Sequence, residues 1–172
     1  APASAFVSTD LVGTDFARGS AERTGSPLHA MIDGPGFFEI ETPSGPRYTR
    51  AGNFSVNRTG ELASAAGDPV MGEGGPISVP DGTAAIEATG SVVESKGNVV
   101  GRLKLVDFEN LQKLSREGES VFRADEGAGP RDVETRKFIP ESIEGSNVQT
   151  ARELADMVIL QRAFETNLRA MQ

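Results

Sequence analysis

At 172 residues the chain can enclose one real core, since a chain of this size buries roughly two-thirds of its unfolded surface. Its formal charge of -8 and pI near 4.7 argue against nucleic acid, whose phosphates demand a basic face. The absence of cysteine excludes disulfides, thiolate nucleophiles and cysteine-bound zinc, while 20 Gly and no Trp favour a thin, turn-rich β architecture.

Residues 1–27 are small and polar around Phe6, Val7, Leu11, Val12 and Phe16. They read as an extended lead-in with room for one short strand. The chain starts at Ala1 without Met, so a removed leader stays open. From 28 to 140 the punctuation becomes regular, and these residues are expected to form a β core domain. Phe37 to Thr42 is one strand, Pro43-Ser44-Gly45-Pro46 a turn and Arg47 to Ala51 the return strand. Phe54-Ser55-Val56 and Glu61-Leu62-Ala63 flank Asn57-Arg58-Thr59-Gly60, a hairpin loop. Ile77-Ser78-Val79 ends at Pro80, and Ala85 to Ala88 follows the turn Asp81-Gly82. Val92-Val93 and Val99-Val100 surround Ser95-Lys96-Gly97-Asn98, a second hairpin signal. Arg102-Leu103-Lys104-Leu105 alternates as a half-buried strand does, and Asp125 to Pro130 reads as a flexible loop. Many short strands with closely spaced turns predict a mainly β fold, an irregular antiparallel sandwich or barrel-like core.

The period then changes. Residues 141–172 read as a linker and a C-terminal amphipathic α-helix. Thr150 and Glu153 form a capping box, in which each side chain satisfies a backbone amide at the helix start. Leu154, Met157, Gln161, Phe164, Leu168 and Met171 follow as a heptad seam with one polar member, the pattern of a subunit-interface helix. Ile159, Ala163 and Ala170 widen the apolar band. At about 1.5 Å per residue the helix from 151 to 172 is roughly 33 Å long. It stops mid-pattern without a capping Gly or Asn, as a truncated coiled-coil element would. The plain alternative is that it covers its own β domain; the breadth of the band favours a partner helix in the same or a neighbouring subunit.

Signals for chemistry are sparse. Gly34-Pro35-Gly36 lacks the third glycine of a dinucleotide fingerprint and the Lys-Ser/Thr of a phosphate loop, and it opens a strand. Gly72-Glu73-Gly74-Gly75-Pro76 fails the same tests. Turn chemistry is the better reading of both. His29 is the only histidine, and a Ser-His-Asp set drawn with Asp33 has no nucleophile elbow behind it. No histidine pair or Asp-rich calcium loop offers a metal site. Glu39 and Glu41 share one strand face two residues apart, usually a solvated one, while the carboxylate pair of a hydrolase would have to come from distant strands, which the sequence leaves open. No catalytic, cofactor or metal residue is expected. Apolar runs of a few residues fall far short of the roughly 20 that cross a bilayer, so no membrane insertion is expected.

Several motifs in order carry a resemblance. Thr24-Gly25-Ser26-Pro27-Leu28, followed by Ile32-Asp33-Gly34-Pro35-Gly36-Phe37-Phe38, resembles the Thr-Gly-Asn-Pro-Leu … Gly-x-Gly-Phe-Phe signature of bacterial flagellar rod and hook proteins. Tyr48-Thr49-Arg50-Ala51-Gly52-Asn53-Phe54 is similar to that family's Tyr-Thr-Arg-x-Gly-x-Phe. Gly60-Glu61-Leu62 and Gly67-Asp68-Pro69-Val70 match its next turns. Glu144-Gly145-Ser146-Asn147-Val148 and Gln161-Arg162-Ala163-Phe164-Glu165 look like its Glu-x-Ser-Asn-Val and Gln-Arg-Ala-Phe/Tyr-Glu. Within the family, Gly101 to Phe108 and Glu117-Gly118 … Phe122 are most similar to the proximal-rod members, with the distal-rod and hook members next. Glu141 stands where the family often has Gly, so that turn is expected to differ. The family's N-terminal helix, with its Ala-Asn-Asn motif, is absent from this sequence.

The resemblance implies a non-enzymatic structural subunit of the axial drive shaft, held in the basal body's periplasm-spanning rod. It implies partners among the other rod and hook subunits, and delivery by the flagellar type III export apparatus without a cleaved signal peptide. It also implies structural roles for Gly34, Gly36, Phe37, Phe38, Tyr48, Arg50, Gly52, Phe54, Ser146, Asn147 and Val148. The alternative from another class is a secreted β-domain hydrolase using a carboxylate pair.

Overall fold

The computed structural model describes residues 19–118 and 120–145. These residues form short strands joined by tight turns. In chain order they are β1 (Ala21–Arg23), β2 (Ala30–Ile32), β3 (Phe37–Thr42) and β4 (Gly45–Thr49), then the two-residue strands β5 (Ser55–Val56), β6 (Leu62–Ala63), β7 (Met71–Gly72) and β8 (Gly75–Pro76). There follow β9 (Ala84–Ile86), β10 (Ser91–Glu94), β11 (Val99–Arg102) and β12 (Leu105–Phe108). The last five are β13 (Leu114–Arg116), β14 (Val121–Ala124), β15 (Pro130–Asp132), β16 (Phe138–Pro140) and β17 (Ser142–Glu144).

The largest sheet has the order β13-β14-β4-β3-β12-β15, antiparallel throughout, and forms a half-barrel. Its seed is the β3–β4 hairpin, whose register runs from Phe38 opposite Thr49 to Thr42 opposite Gly45. The return strand starts at Gly45, earlier than the expected Arg47, because the loop is only Pro43-Ser44 and the Thr42 hydroxyl closes it by donating to the Gly45 carbonyl at 2.7 Å. Residues 109–113 must carry the chain from β12 past three strands to β13. On a flat sheet that path is about 19 Å at roughly 4.8 Å per strand, more than five residues reach comfortably, so the sheet curls.

Alternation along β3 sends consecutive phenylalanines to opposite faces. Phe38 and Ile40 join Leu62, Val70, Val79, Val92, Leu103 and Leu105 in the larger core. Phe37 joins Tyr48, Val106, Phe108, Leu114, Phe122 and Ala128 in a second cluster on the other face. Leu111 and Ala128, from the two connections that cross the sheet, close that face. Those connections also bond to each other, Glu109 and Asn110 donating to the carbonyls of Gly129 and Ala128.

Three local expectations are corrected. Arg102 to Leu105 is not one strand: β11 ends at Arg102 and β12 begins at Leu105, the chain changing sheets between them. Both leucines are nonetheless fully buried, which is why the alternation looked continuous. Ile77 to Val79 makes a single bridge, Ser78 with Glu61: the Val79 amide donates to the Gly60 carbonyl and the Ile77 amide to the Val70 carbonyl, so the segment's amides go to two different stretches of chain rather than along one strand. The loop from Asp125 to Pro130 is not a loose excursion, since Ala128 is buried in the second cluster. The helix expected over 151–172 lies outside the described residues. Among the described residues the helical structure is one 3-10 turn, Leu111–Lys113, capped by the Asn110 side chain.

Candidate assembly neck

The motif residues fall into two groups. Phe38 and Phe54 are core aromatics, their rings edge to face at 4.8 Å, with Phe138 stacked on Phe38 at 5.9 Å. Phe37 meets Phe108 and Phe122 edge to face, and Tyr48 meets Phe108 at 4.7 Å. Gly52 serves these aromatics through its missing side chain. A Cβ there would stand 1.7 Å from the Ala30 carbonyl oxygen, while the Gly52 carbonyl accepts the Ala30 amide at 3.0 Å. Gly36 has φ +110°, a conformation that lets the chain turn sharply into β3 and that side chains resist.

Gly34, Gly36 and Arg50 form the second group, around a feature the sequence did not disclose. β1 and β17 pair antiparallel, Ala21 opposite Glu144 and Arg23 opposite Ser142. The chain therefore enters and leaves the β unit side by side. Glu144 is the fastening point of this ribbon. Its Oε1 accepts the Gly19 amide at 3.0 Å and its Oε2 accepts Arg50 Nε at 2.7 Å. Arg50 Nη1 donates to the carbonyls of Gly36 at 2.8 Å and Gly34 at 3.4 Å, and the guanidinium carbon lies 5.9 Å from the Phe37 ring centroid. Arg50 and Glu144 are largely withdrawn from water, at 17% and 11% side-chain exposure, so their pairing is screened far less than a surface pair. Glu144 was not an expected site residue. The signal lay in its motif, Glu-x-Ser-Asn-Val, where the acidic residue is the first letter.

Glu141 sits at the base of the ribbon with φ +53°, in the left-handed region that favours glycine. Its carbonyl accepts the amides of Thr24 at 2.8 Å and Gly25 at 3.1 Å, and its amide donates to the His29 carbonyl at 2.9 Å. These bonds hold a glutamate in a conformation it would otherwise avoid. His29 Nδ1 lies 2.8 Å from the Thr24 hydroxyl, which makes the histidine part of this turn.

The charged groups elsewhere brace strands. Glu39, one of the two carboxylates on β3, is 3.0 Å from Lys104 Nζ, with Asp132 at 3.7 Å. Burial works against the Lys104 ammonium, but the Glu39 hydrogen bond and the two negative charges outweigh it and raise its pKa. Burial, with Glu39 nearby, also raises the pKa of the Tyr48 phenol. At the far edge Arg47 Nε meets Glu117 at 2.5 Å, and Arg123 reaches Glu117 at 2.9 Å and Asp125 at 3.0 Å. The Arg47 hydrogen bond holds the Glu117 carboxyl below its ordinary pKa, and the Ser115 hydroxyl does the same for Asp125. Among the described residues no three His, Asp or Glu side chains gather as a metal ion requires. Ser146, Asn147, Val148 and the seam residues Leu154, Met157, Gln161, Phe164, Leu168 and Met171 lie outside the described residues.

A family model described as the flagellar hook protein FlgE/F/G D1 domain matches residues 31–101, and one described as the flagellar basal body rod FlgEFG protein C-terminal matches residues 139–172. The flagellar basal-body rod protein FlgF of Caulobacter vibrioides is 31% identical over 96% of this chain and 69% of its own length. The FlgF of Salmonella typhimurium is 33% identical over 96% of this chain and 71% of its own length. The flagellar basal-body rod protein FlgG of Bacillus subtilis is 30% identical over 93% of this chain and 66% of its own length.

Proposed function

This chain belongs to the flagellar basal-body rod protein family, and from that premise we propose that it is a proximal-rod subunit of the shaft that transmits torque. It is a structural rod protein of the flagellar basal body rather than an enzyme, most like FlgF, and assembles with other rod and hook components. In the proposed arrangement residues 28–140 are the β core and residues 1–27 the lead-in. Residues 141–172 supply a linker and an assembly helix whose seam is Leu154, Met157, Gln161, Phe164, Leu168 and Met171. Delivery runs through the flagellar type III export apparatus without a cleaved signal peptide, to a place in the part of the rod that spans the periplasm.

The observation that carries this reading is the neck. A shaft subunit must pass force between its domain and the segments that join it to its neighbours. Here both ends of the described chain leave through one paired ribbon, locked to the sheet by Arg50 and Glu144. In the whole rod protein, Leu168→Asp should lower recovery in purified basal bodies at least tenfold by placing a charge in the seam. Hydrogen-exchange protection of the β3 and β4 amides should stay unchanged. Normal recovery of the variant would remove the seam from assembly.

A further inference from the structure

Among the described residues the six-stranded sheet ends on each side in a strand with no outer neighbour, β13 at one edge and β15 at the other. An outer strand turns alternate backbone groups away from its sheet, where a further strand can take them. On β13 the ladder runs through the odd positions: the Asp125 amide donates to the Lys113 carbonyl and the Glu117 amide to the Val121 carbonyl, each at 2.9 Å. Leu114 and Arg116 therefore turn their backbone groups outward. The Leu114 amide bends back to the Leu111 carbonyl, which leaves its own carbonyl facing out. On β15 the Gly129 carbonyl accepts the Glu109 amide at 3.2 Å and the Val133 amide donates to the Leu105 carbonyl at 3.0 Å. Pro130 and Asp132 therefore turn outward, and Pro130 has no amide to give. Arg116 on one edge and Asp132 on the other are thus where an amide and a carbonyl point out together.

A proline and charges on an edge ordinarily keep it from pairing. Here they narrow the pairing to one register. Leu114 belongs to the second cluster, so Arg116, two residues on, stands on that same face. Asp132 stands there too, 3.7 Å from the Lys104 ammonium that Glu39 also holds, whereas Val133 packs against the larger core. Setting Arg116 opposite Asp132 keeps both faces continuous, and a one-residue slip would reverse one of them. The same register brings opposite charges together, Arg116 with Asp132 on one face and Glu117 with Arg131 on the other. All four side chains are exposed. Pairing two like edges at these positions would instead set Asp132 against Asp132 or Arg116 against Arg116, and like charges directly opposite repel.

We propose that β13 of one copy of this chain pairs antiparallel with β15 of a second copy, Arg116 opposite Asp132, so that the sheet continues from copy to copy. The contact joins two unlike patches, which leaves each copy one edge for the next and makes the association open-ended. It uses a surface apart from the helix seam, and it holds or fails whether or not the rod reading is right.

Disulfide trapping in the full chain, which has no cysteine of its own, tests this. Ser115 and Val133 would face each other as a non-hydrogen-bonded pair, their Cα atoms about 4.5 Å apart and within disulfide range. Mixing Ser115→Cys with Val133→Cys under mild oxidation should give mixed dimers at about fivefold or more the yield of dimers from either variant alone. Adding Arg116→Glu to the first variant, or Asp132→Lys to the second, should lower the mixed yield about fivefold, and adding both should restore it. If Asp132→Lys unfolds the chain by repelling Lys104, the Arg116→Glu arm and the comparison of mixed with single variants decide. Mixed dimers no more abundant than single-variant dimers overturn the proposal, and so does a mixed yield indifferent to charge reversal.

Discussion

Replacing Gly52 by alanine adds one methyl group where the fold has left no space. The new carbon would lie 1.7 Å from the Ala30 carbonyl oxygen, 2.8 Å from its carbon and 3.4 Å from the Phe38 ring. Two of these three neighbours are backbone, so no side-chain rotation relieves the clash. The two chains must part, and the Ala30 amide, on a residue with 0% exposure, loses the Gly52 carbonyl. An unmet buried amide costs about 1–3 kcal/mol, and forcing volume into a filled core costs about 1–3 kcal/mol more. A loss of roughly 2–6 kcal/mol is therefore expected, a large share of the 5–15 kcal/mol typical of a whole domain. Urea titration followed by circular dichroism measures it. Gly74→Ala is the control, since a Cβ there meets nothing within 4 Å and its φ is not positive. It should shift stability by no more than about 0.5–1 kcal/mol. A Gly52→Ala midpoint indistinguishable from the control would refute the close approach of the two segments.

Glu141→Gly should change stability by less than about 1 kcal/mol, because relief of the left-handed conformation offsets glycine's greater unfolded-state entropy and a weak exposed pair with Arg23. Glu141→Val should lose more than about 1 kcal/mol, since a β-branched residue tolerates φ +53° least; equal melting temperatures for the two variants would contradict the strained turn. The Glu117 carboxyl has its folded pKa below its ordinary 4.5, so its stabilising contribution is complete above that value and is lost as pH falls through the folded one. Glu117→Gln should therefore flatten the acid limb of a stability profile measured from pH 6 to 2, and an unchanged slope would dismiss the Arg47 contact as its cause.

The sequence alone determined what depends on neighbours along the chain. Period-2 alternation at Phe37 to Thr42 and the Pro43-Ser44-Gly45 turn yield the central hairpin, because side-chain direction and turn geometry are local properties. The ordered motifs carried the family, since each is a short run of specific residues. Distance along the chain hid the rest. Alternation shows that Leu103 and Leu105 are buried but not that they border two different sheets, because burial looks the same from either side. That Phe37 and Phe38 serve separate cores, and that Gly52 is a glycine because Ala30 crosses it, required the sheet's curl and its long-range pairings. The same holds for Arg50 and Glu144, 94 residues apart, whose ion pair exists only because β1 and β17 meet. Complementary charge states that two residues can attract; only the tertiary fold removes water from between them and decides that they do.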